Sequence, residues 1–208
     1  MIHSIVLFFA RGGVVMIPIT ICSLASLTVI LERGFALRRS QIIPESLYET
    51  IFNYRIGQPS SEIQRLAAPG RTTLARLVRV CLEHLPWSKA ENVEAVQTKA
   101  RSEIAQLERG LVVLEIVVGI GPLLGLLGTL TGLITIFGNV GDAGIAEQGM
   151  MLARGIAEAL NTTVAGLTIA IPSLIAHSYY MKKIESMSVE MESSCMDLLT
   201  KLYLQPAE

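Results

Sequence analysis

The residues of this chain whose types and placement could do chemistry are hydroxyls and one carboxylate set among glycines in otherwise apolar sequence. One stretch reads Gly121-Pro122-Leu123-Leu124-Gly125-Leu126-Leu127-Gly128-Thr129. The other runs Gly155-Ile156-Ala157-Glu158-Ala159-Leu160-Asn161-Thr162-Thr163-Val164-Ala165-Gly166-Leu167. A lipid-facing helix would carry Leu and Ile where these stretches carry Gly and Thr, so they mark a polar or closely packed face inside a membrane. The chemistry open to such a face is ion passage along hydroxyls, with Thr129, Thr163, Thr162 and Glu158 as candidates. Gly121, Gly125, Gly128 and Gly132 recur at helical spacing, and Ala159, Thr163, Gly166 and Ala170 form a second stripe. Such stripes permit close helix approach, and Pro122 beside them is a place for a bend.

Two readings of Glu158 stand: a working carboxylate at the outer end of its span, or an interfacial residue complementing a helix N-terminus. Glu115 reads as solvated near the opposite mouth, and His177 as polar packing.

Three charge-free gaps define the elements that hold these residues. No charged side chain lies between Arg11 and Glu32, between Glu115 and Asp142, or between Glu158 and Lys182. Each gap can span the roughly 20 residues that cross a bilayer. The expectation is an all-α membrane protein with transmembrane helices at 12–31, 111–137 and 155–181, and no cleaved leader. Residues 1–11 are expected along the outer interface, 32–110 as a cytoplasmic helical loop, 138–154 as an outer loop and 182–208 as a cytoplasmic helical tail. With 51% hydrophobic and 17% charged residues, a large part of the 208-residue chain must still stand in water. Basic residues are concentrated from Arg33 to Arg109 and at Lys182, Lys183 and Lys201, against Arg11 and Arg154 on the other side. The positive-inside rule then places the N-terminus outside and the C-terminus in the cytoplasm.

Within the loop, prolines at 44, 59, 69 and 86 divide helical pieces. Leu47, Ile51 and Tyr54 share one face, as do Leu74, Leu77, Val78, Cys81 and Leu85. Ser88 with Glu91 has the pattern of a capping box. From there one long helix is expected to about Phe137, bent near Gly119 to Pro122. Beyond Tyr180, a stripe of Ile184, Met187, Met191, Cys195 and Leu198 continues the third span as a helix.

Other chemistries lack their parts. The three histidines are far apart, Cys22, Cys81 and Cys195 are unclustered, and no phosphate loop or nucleophile-base arrangement is visible. The expectation is free thiols, no enzyme activity, no metal or cofactor, and, at a net charge of −1, no nucleic-acid partner. Three spans are too few to enclose a watery path, so several copies, about five, are expected to pack as a ring. At about 1.5 Å per residue, Thr129 and Thr163 each lie roughly 12 Å below the outer turn.

The two quoted stretches, with Thr163 and Gly166-Leu167, resemble the signature of the MotA/TolQ/ExbB proton-channel family, nearest in pattern to ExbB and TolQ. The resemblance covers roughly Leu107 to Lys183. It implies a homopentamer in the bacterial inner membrane around an ExbD- or TolR-type single-span partner carrying a membrane aspartate, with a TonB- or TolA-like protein downstream. It also implies that Thr129 and Thr163 face the path and that Glu158 stands by its outer entrance. The implied function is a proton-motive-force-driven motor subunit that energises envelope transport. The alternatives are a TolQ-type envelope-maintenance motor, a sodium-driven variant and a non-conducting membrane scaffold. Two departures from the family pattern are Gly121, where the family commonly has Ala, and the polar pair Asn161-Thr162, whose extra hydroxyl and amide oxygen keep sodium open.

Overall fold

A computed structural model describes residues 14–138 and 145–204, with the side chains at 145–148, 151, 154 and 158 outside the description. The expected interfacial segment 1–11 and most of the turn after Gly138 lie outside the described residues. Among the described residues the fold is helical, with no strand. The helices are α1 (Met16–Ala36), α2 (Arg39–Ile42), α3 (Glu45–Asn53), α4 (Ser61–Ala67), α5 (Thr73–Glu83), α6 (Lys89–Glu108), α7 (Leu111–Gly138) and α8 (Ile145–Tyr203). Three are long and apolar enough to cross a membrane: α1, α7 and the Gly155–Tyr203 stretch of α8.

The chain forms two units, the first from residues 1–31 and 111–178 and the second from 32–110 and 179–208. In the first, α1, α7 and the N-terminal part of α8 pack together. Met16 and Ile19 of α1 are buried with Ala165 of α8, and Leu124 and Ile169 pack against them. The other face of α1 presents Ile17, Ile21, Leu24 and Leu27, all exposed, as a span bordering lipid would. Pro122 and Pro172 both lie inside helices. Each lacks the N–H that would bond the carbonyl four residues earlier, yet neither ends its helix.

The second unit has a water-type core. Leu47, Ile51 and Tyr54 of the α3 region, Leu74, Leu77, Val78 and Cys81 of α5, and Ile184, Met187, Met191, Cys195 and Leu198 of α8 are all buried. Leu85, expected on the α5 stripe, is only half-buried and lies past the helix end. The capping box is complete: Ser88 Oγ accepts from the Glu91 amide while the Glu91 carboxylate accepts from the Ser88 amide. Lys201 Nζ donates to the carbonyls of Ile51 and Phe52 at 3.3 and 3.1 Å, capping the end of α3 with a cation. Cys81 and Cys195 meet in this core as free thiols.

The single helix expected from Ser88 to Phe137 is two helices, broken at Arg109-Gly110. The cause lies outside the local pattern. Arg33 Nη1 donates to the Leu107 carbonyl at 3.3 Å, and a Cβ on Gly110 would stand 2.6 Å from Arg33 Nε. Glycine's poor helix propensity and the guanidinium seated against it stop α6 there.

Two polar residues lie on the otherwise apolar inner side of α6. Asn92 is fully buried and donates through Nδ2 to the Cys81 carbonyl at 2.9 Å and to Tyr203 Oη at 3.1 Å. Glu103 is 1% exposed and takes Arg76 Nε and Lys99 Nζ, each at 2.9 Å, on separate oxygens. Burial by itself raises the Glu103 carboxyl pKa, but hydrogen bonds and charge from Arg76 and Lys99 outweigh it and hold the group below its ordinary value. A depressed folded pKa contributes stability above the unfolded value of about 4.3 that is lost as pH falls through the folded one. Glu103→Gln should lower stability by about 2–3 kcal/mol, since it leaves two half-buried cations facing a neutral amide. It should also remove that share of the acid sensitivity. Thermal melts of the two proteins across pH 3 to 7 in a mild detergent, about the range of the carboxylate transition, check both outcomes.

Candidate functional site in the membrane unit

The antiparallel contact between α7 and α8 is built where side chains are missing. A Cβ added to Gly125 would lie 2.9 Å from Thr163 Cα and 3.1 Å from the Thr162 carbonyl. One added to Gly166 would lie 2.5 Å from the Gly121 carbonyl, and one on Gly128 would overlap the Thr162 side chain. Gly132 stands against Ala159, and Gly155 against Ile136. Backbone therefore meets backbone from Gly121 to Gly125, and at Gly128 and Gly132 small side chains of α8 fill the space over the glycines, the geometry that small residues allow in a membrane. Pro122 is half-buried beside this seam.

Thr162 and Thr163 use the closeness differently. Thr162 is 2% exposed; its hydroxyl lies 2.7 Å from the Ala159 carbonyl and 3.3 Å from that of Gly125. It fills the space over Gly128, so it sits in the helix seam rather than on an open face. Thr163 is half-buried, and its Oγ1 donates to the same Gly125 carbonyl at 3.2 Å. Its lone pairs remain free to accept. Thr129, also half-buried, donates back to the Leu126 carbonyl at 2.6 Å. Since Gly125 pairs with Thr163 and Gly128 with Thr162, Thr129 and Thr163 stand within about one 5.4 Å helical turn of each other in height.

The remaining hydroxyls are locally satisfied. Thr131, Thr135 and Thr168 are exposed, and each bonds to a carbonyl in its own preceding turn. The Glu158 backbone belongs to α8, but its side chain lies outside the described residues. Glu115 is exposed and His177 half-buried. Among the described residues no group of His, Cys, Asp and Glu could hold a metal ion.

One feature of the membrane unit is absent from the sequence reading. Ser26 of α1 and Ser173 of α8 are both buried, with their hydroxyls 2.6 Å apart. Ser173 Oγ also donates to the Ile169 carbonyl at 2.6 Å, so Ser26 is the donor to Ser173. The signal was a serine in each of two apolar spans, but nothing in their spacing pairs them.

Residues 71–193 match the profile of the MotA/TolQ/ExbB proton channel family. The chain belongs to this family. A putative biopolymer transport protein, ExbB-like 1, from Synechocystis sp. is 36% identical over 174 residues, which are 80% of this chain and 66% of the relative. The Vibrio cholerae biopolymer transport protein exbB1 is 30% identical over 165 residues, 78% of this chain and 72% of its own length. The Tol-Pal system protein TolQ of Haemophilus influenzae is 29% identical over 159 residues, covering 76% of this chain and 68% of that protein. The chain thus spans just under two thirds of the Synechocystis relative, and somewhat more of the other two. The family match takes in both glycine-bearing stretches together with α5 and α6.

Gly125→Ala and Gly166→Ala should each force α7 and α8 apart and cost about 1–3 kcal/mol, the range for overfilling a packed contact. Gly119, with nothing within 4 Å of an added Cβ, is the control. Gly119→Ala should be neutral or stabilise by up to about 1 kcal/mol through helix propensity. Thermal unfolding of the three variants in one detergent separates the seam effect from the propensity effect.

Proposed function

We propose that this family member is the ring-forming subunit of an ExbB-like inner-membrane motor driven by the proton-motive force. In this reading about five copies surround an ExbD- or TolR-type single-span partner. Protons cross along the interface between ring and partner, and the partner's membrane aspartate is the group that titrates. The N-terminus is outside and the second unit is cytoplasmic. The observation that supports it best is that Thr129 and Thr163 stand within about one helical turn of each other on half-buried positions beside the glycine seam. A proton falling through 100 mV releases about 2.3 kcal/mol, enough to change which subunit a titrating partner contacts. Glu158 would stand at the outer entrance, and Thr162 would serve the path by fixing Thr163. The output in this reading is envelope transport of the TonB-linked kind, for which the biopolymer-transport names of the ExbB relatives are the support; the TolQ relative supports a Tol-type output as the second reading.

The test is conduction by the chain co-reconstituted with its neighbour-encoded single-span protein in liposomes holding a pH-sensitive dye. Each hydrogen bond withdrawn from the barrier is worth about tenfold in rate. Thr163→Val and Thr129→Val should therefore cut proton flux at least about tenfold while the oligomer elutes unchanged, and Thr163→Ser should keep most of it. A scaffold that conducts nothing would show no flux in the parent protein and no difference among the variants. Flux that follows a sodium gradient and not a proton gradient would establish the sodium-driven alternative.

A further inference from the structure

On the second unit, the end of α5 and one face of α6 enclose an open groove of about 730 Å³, and nothing in the ion path uses it. Val80, His84 and Trp87 form one side, and Glu91, Glu94 and Lys99 stand on the α6 side. Trp87 is the chain's single tryptophan, yet it is 52% exposed, set edge-on to His84 with ring centroids 4.1 Å apart. Tryptophan so exposed on a water-facing surface, inside a concavity, is unusual for a residue this apolar.

The charge in the groove is one-sided. Glu91 and Glu94 are exposed and lie one helical turn apart; Glu91 gives Oε2 to the Ser88 cap, which leaves its charge and Oε1 to the groove. The groove's cation, Lys99, is bound at 2.9 Å by the buried Glu103 and is not free to answer them. His84 keeps its Nδ1 within 2.9 Å of the Val80 carbonyl, which fixes the ring in place beside the indole. An indole with two carboxylates beside it is suited to cationic side chains, which gain both a ring face and an ion pair. The lining runs along α6 from Glu91 to Ser102, about 16 Å of helix, which matches an extended segment of roughly five residues.

We propose that this groove is a docking site for a basic polypeptide segment of a partner protein, one carrying two or more Lys or Arg side chains. The site is independent of conduction, because no residue in it belongs to the membrane unit. Binding there would tether a soluble or cytoplasmic-tailed partner to the second unit through charge and the indole together.

The lone tryptophan makes the site its own reporter. The full-length protein in vesicles of zwitterionic lipid, with no other protein present, would be titrated with a capped, tryptophan-free lysine-rich peptide, and in parallel with the same peptide carrying Glu for Lys. The expected result is a saturable change in Trp87 emission with the lysine peptide alone, weakened about tenfold when ionic strength is raised to about 0.5 M. Glu91→Gln/Glu94→Gln should weaken it about tenfold at low salt, and the glutamine retains the cap geometry at position 91. Glu45→Gln/Glu49→Gln, exposed acids away from the groove, should leave it unchanged. No saturable change, an equal response to the acidic peptide, or unchanged affinity in the Glu91/Glu94 variant would overturn the proposal. Emission that depends on protein concentration without peptide would also overturn it, by assigning the groove to a second copy. Proton flux measured on the same double variant should match the parent, so failure of docking and failure of the conduction reading are told apart.

Discussion

Close contact between α7 and α8 constrains everything else in the membrane unit. In hydrocarbon there is no hydrophobic gain from pressing two apolar helices together, because lipid tails are as apolar as leucine. What holds them is dispersion between surfaces that fit and the few hydrogen bonds that closeness makes available. Both need backbone at the contact, which is why Gly121, Gly125 and Gly128 are buried without side chains to bury. The Gly125 carbonyl can receive hydroxyls from Thr162 and Thr163 only because nothing projects between the helices. The heights of the two candidate path threonines follow from that seam and not from their own contacts.

The two units solve different stability problems with one chain. The second unit buries Leu, Ile and Met as a water-soluble domain does, and it tolerates Glu103 and Asn92 inside because each is bonded to partners on other turns or helices. The membrane unit leaves its large apolar side chains outward, from Ile17 to Leu27 on α1 and from Leu123 to Ile134 on α7, and spends its interior on small and hydroxyl residues. Ser26 and Ser173 give α1 a directional tie to α8 that leucines could not supply. The same principle, that a buried polar group must find a partner, produces opposite residue choices in the two environments.

Much of this was legible because it rests on local rules. Charge-free gaps mark the spans, since a lone charge in hydrocarbon is expensive. The stripes from Leu47 to Tyr54, from Leu74 to Cys81 and from Ile184 to Leu198 turned out buried, because helical period alone decides which face points inward. What could not be read depends on distant partners. Gly110 is a weak local breaker, but what makes the helix stop there is Arg33, more than seventy residues earlier. The helix that carries the first span runs from Met16 to Ala36, on past Glu32 and Arg33. α8 starts at Ile145, inside the stretch expected as outer loop. The sequence pattern set Thr163 on the stripe with Ala159, Gly166 and Ala170; one residue is about 100° of helix, and only the position of α7 shows that the side chain filling the seam is that of Thr162.

The central claim is that Thr129 and Thr163 stand on one water-accessible path inside an assembled ring. It is tested most directly by thiol labelling of introduced cysteines in the membrane-embedded complex, on a Cys22→Ala background whose remaining Cys81 and Cys195 are buried, with a charged reagent that does not enter lipid. Thr129→Cys and Thr163→Cys should label readily, at similar rates and faster than Leu123→Cys and Leu160→Cys on the outward apolar faces. Labelling of the two threonine positions no faster than those leucine positions would show that they face lipid or a sealed contact, and would contradict the account.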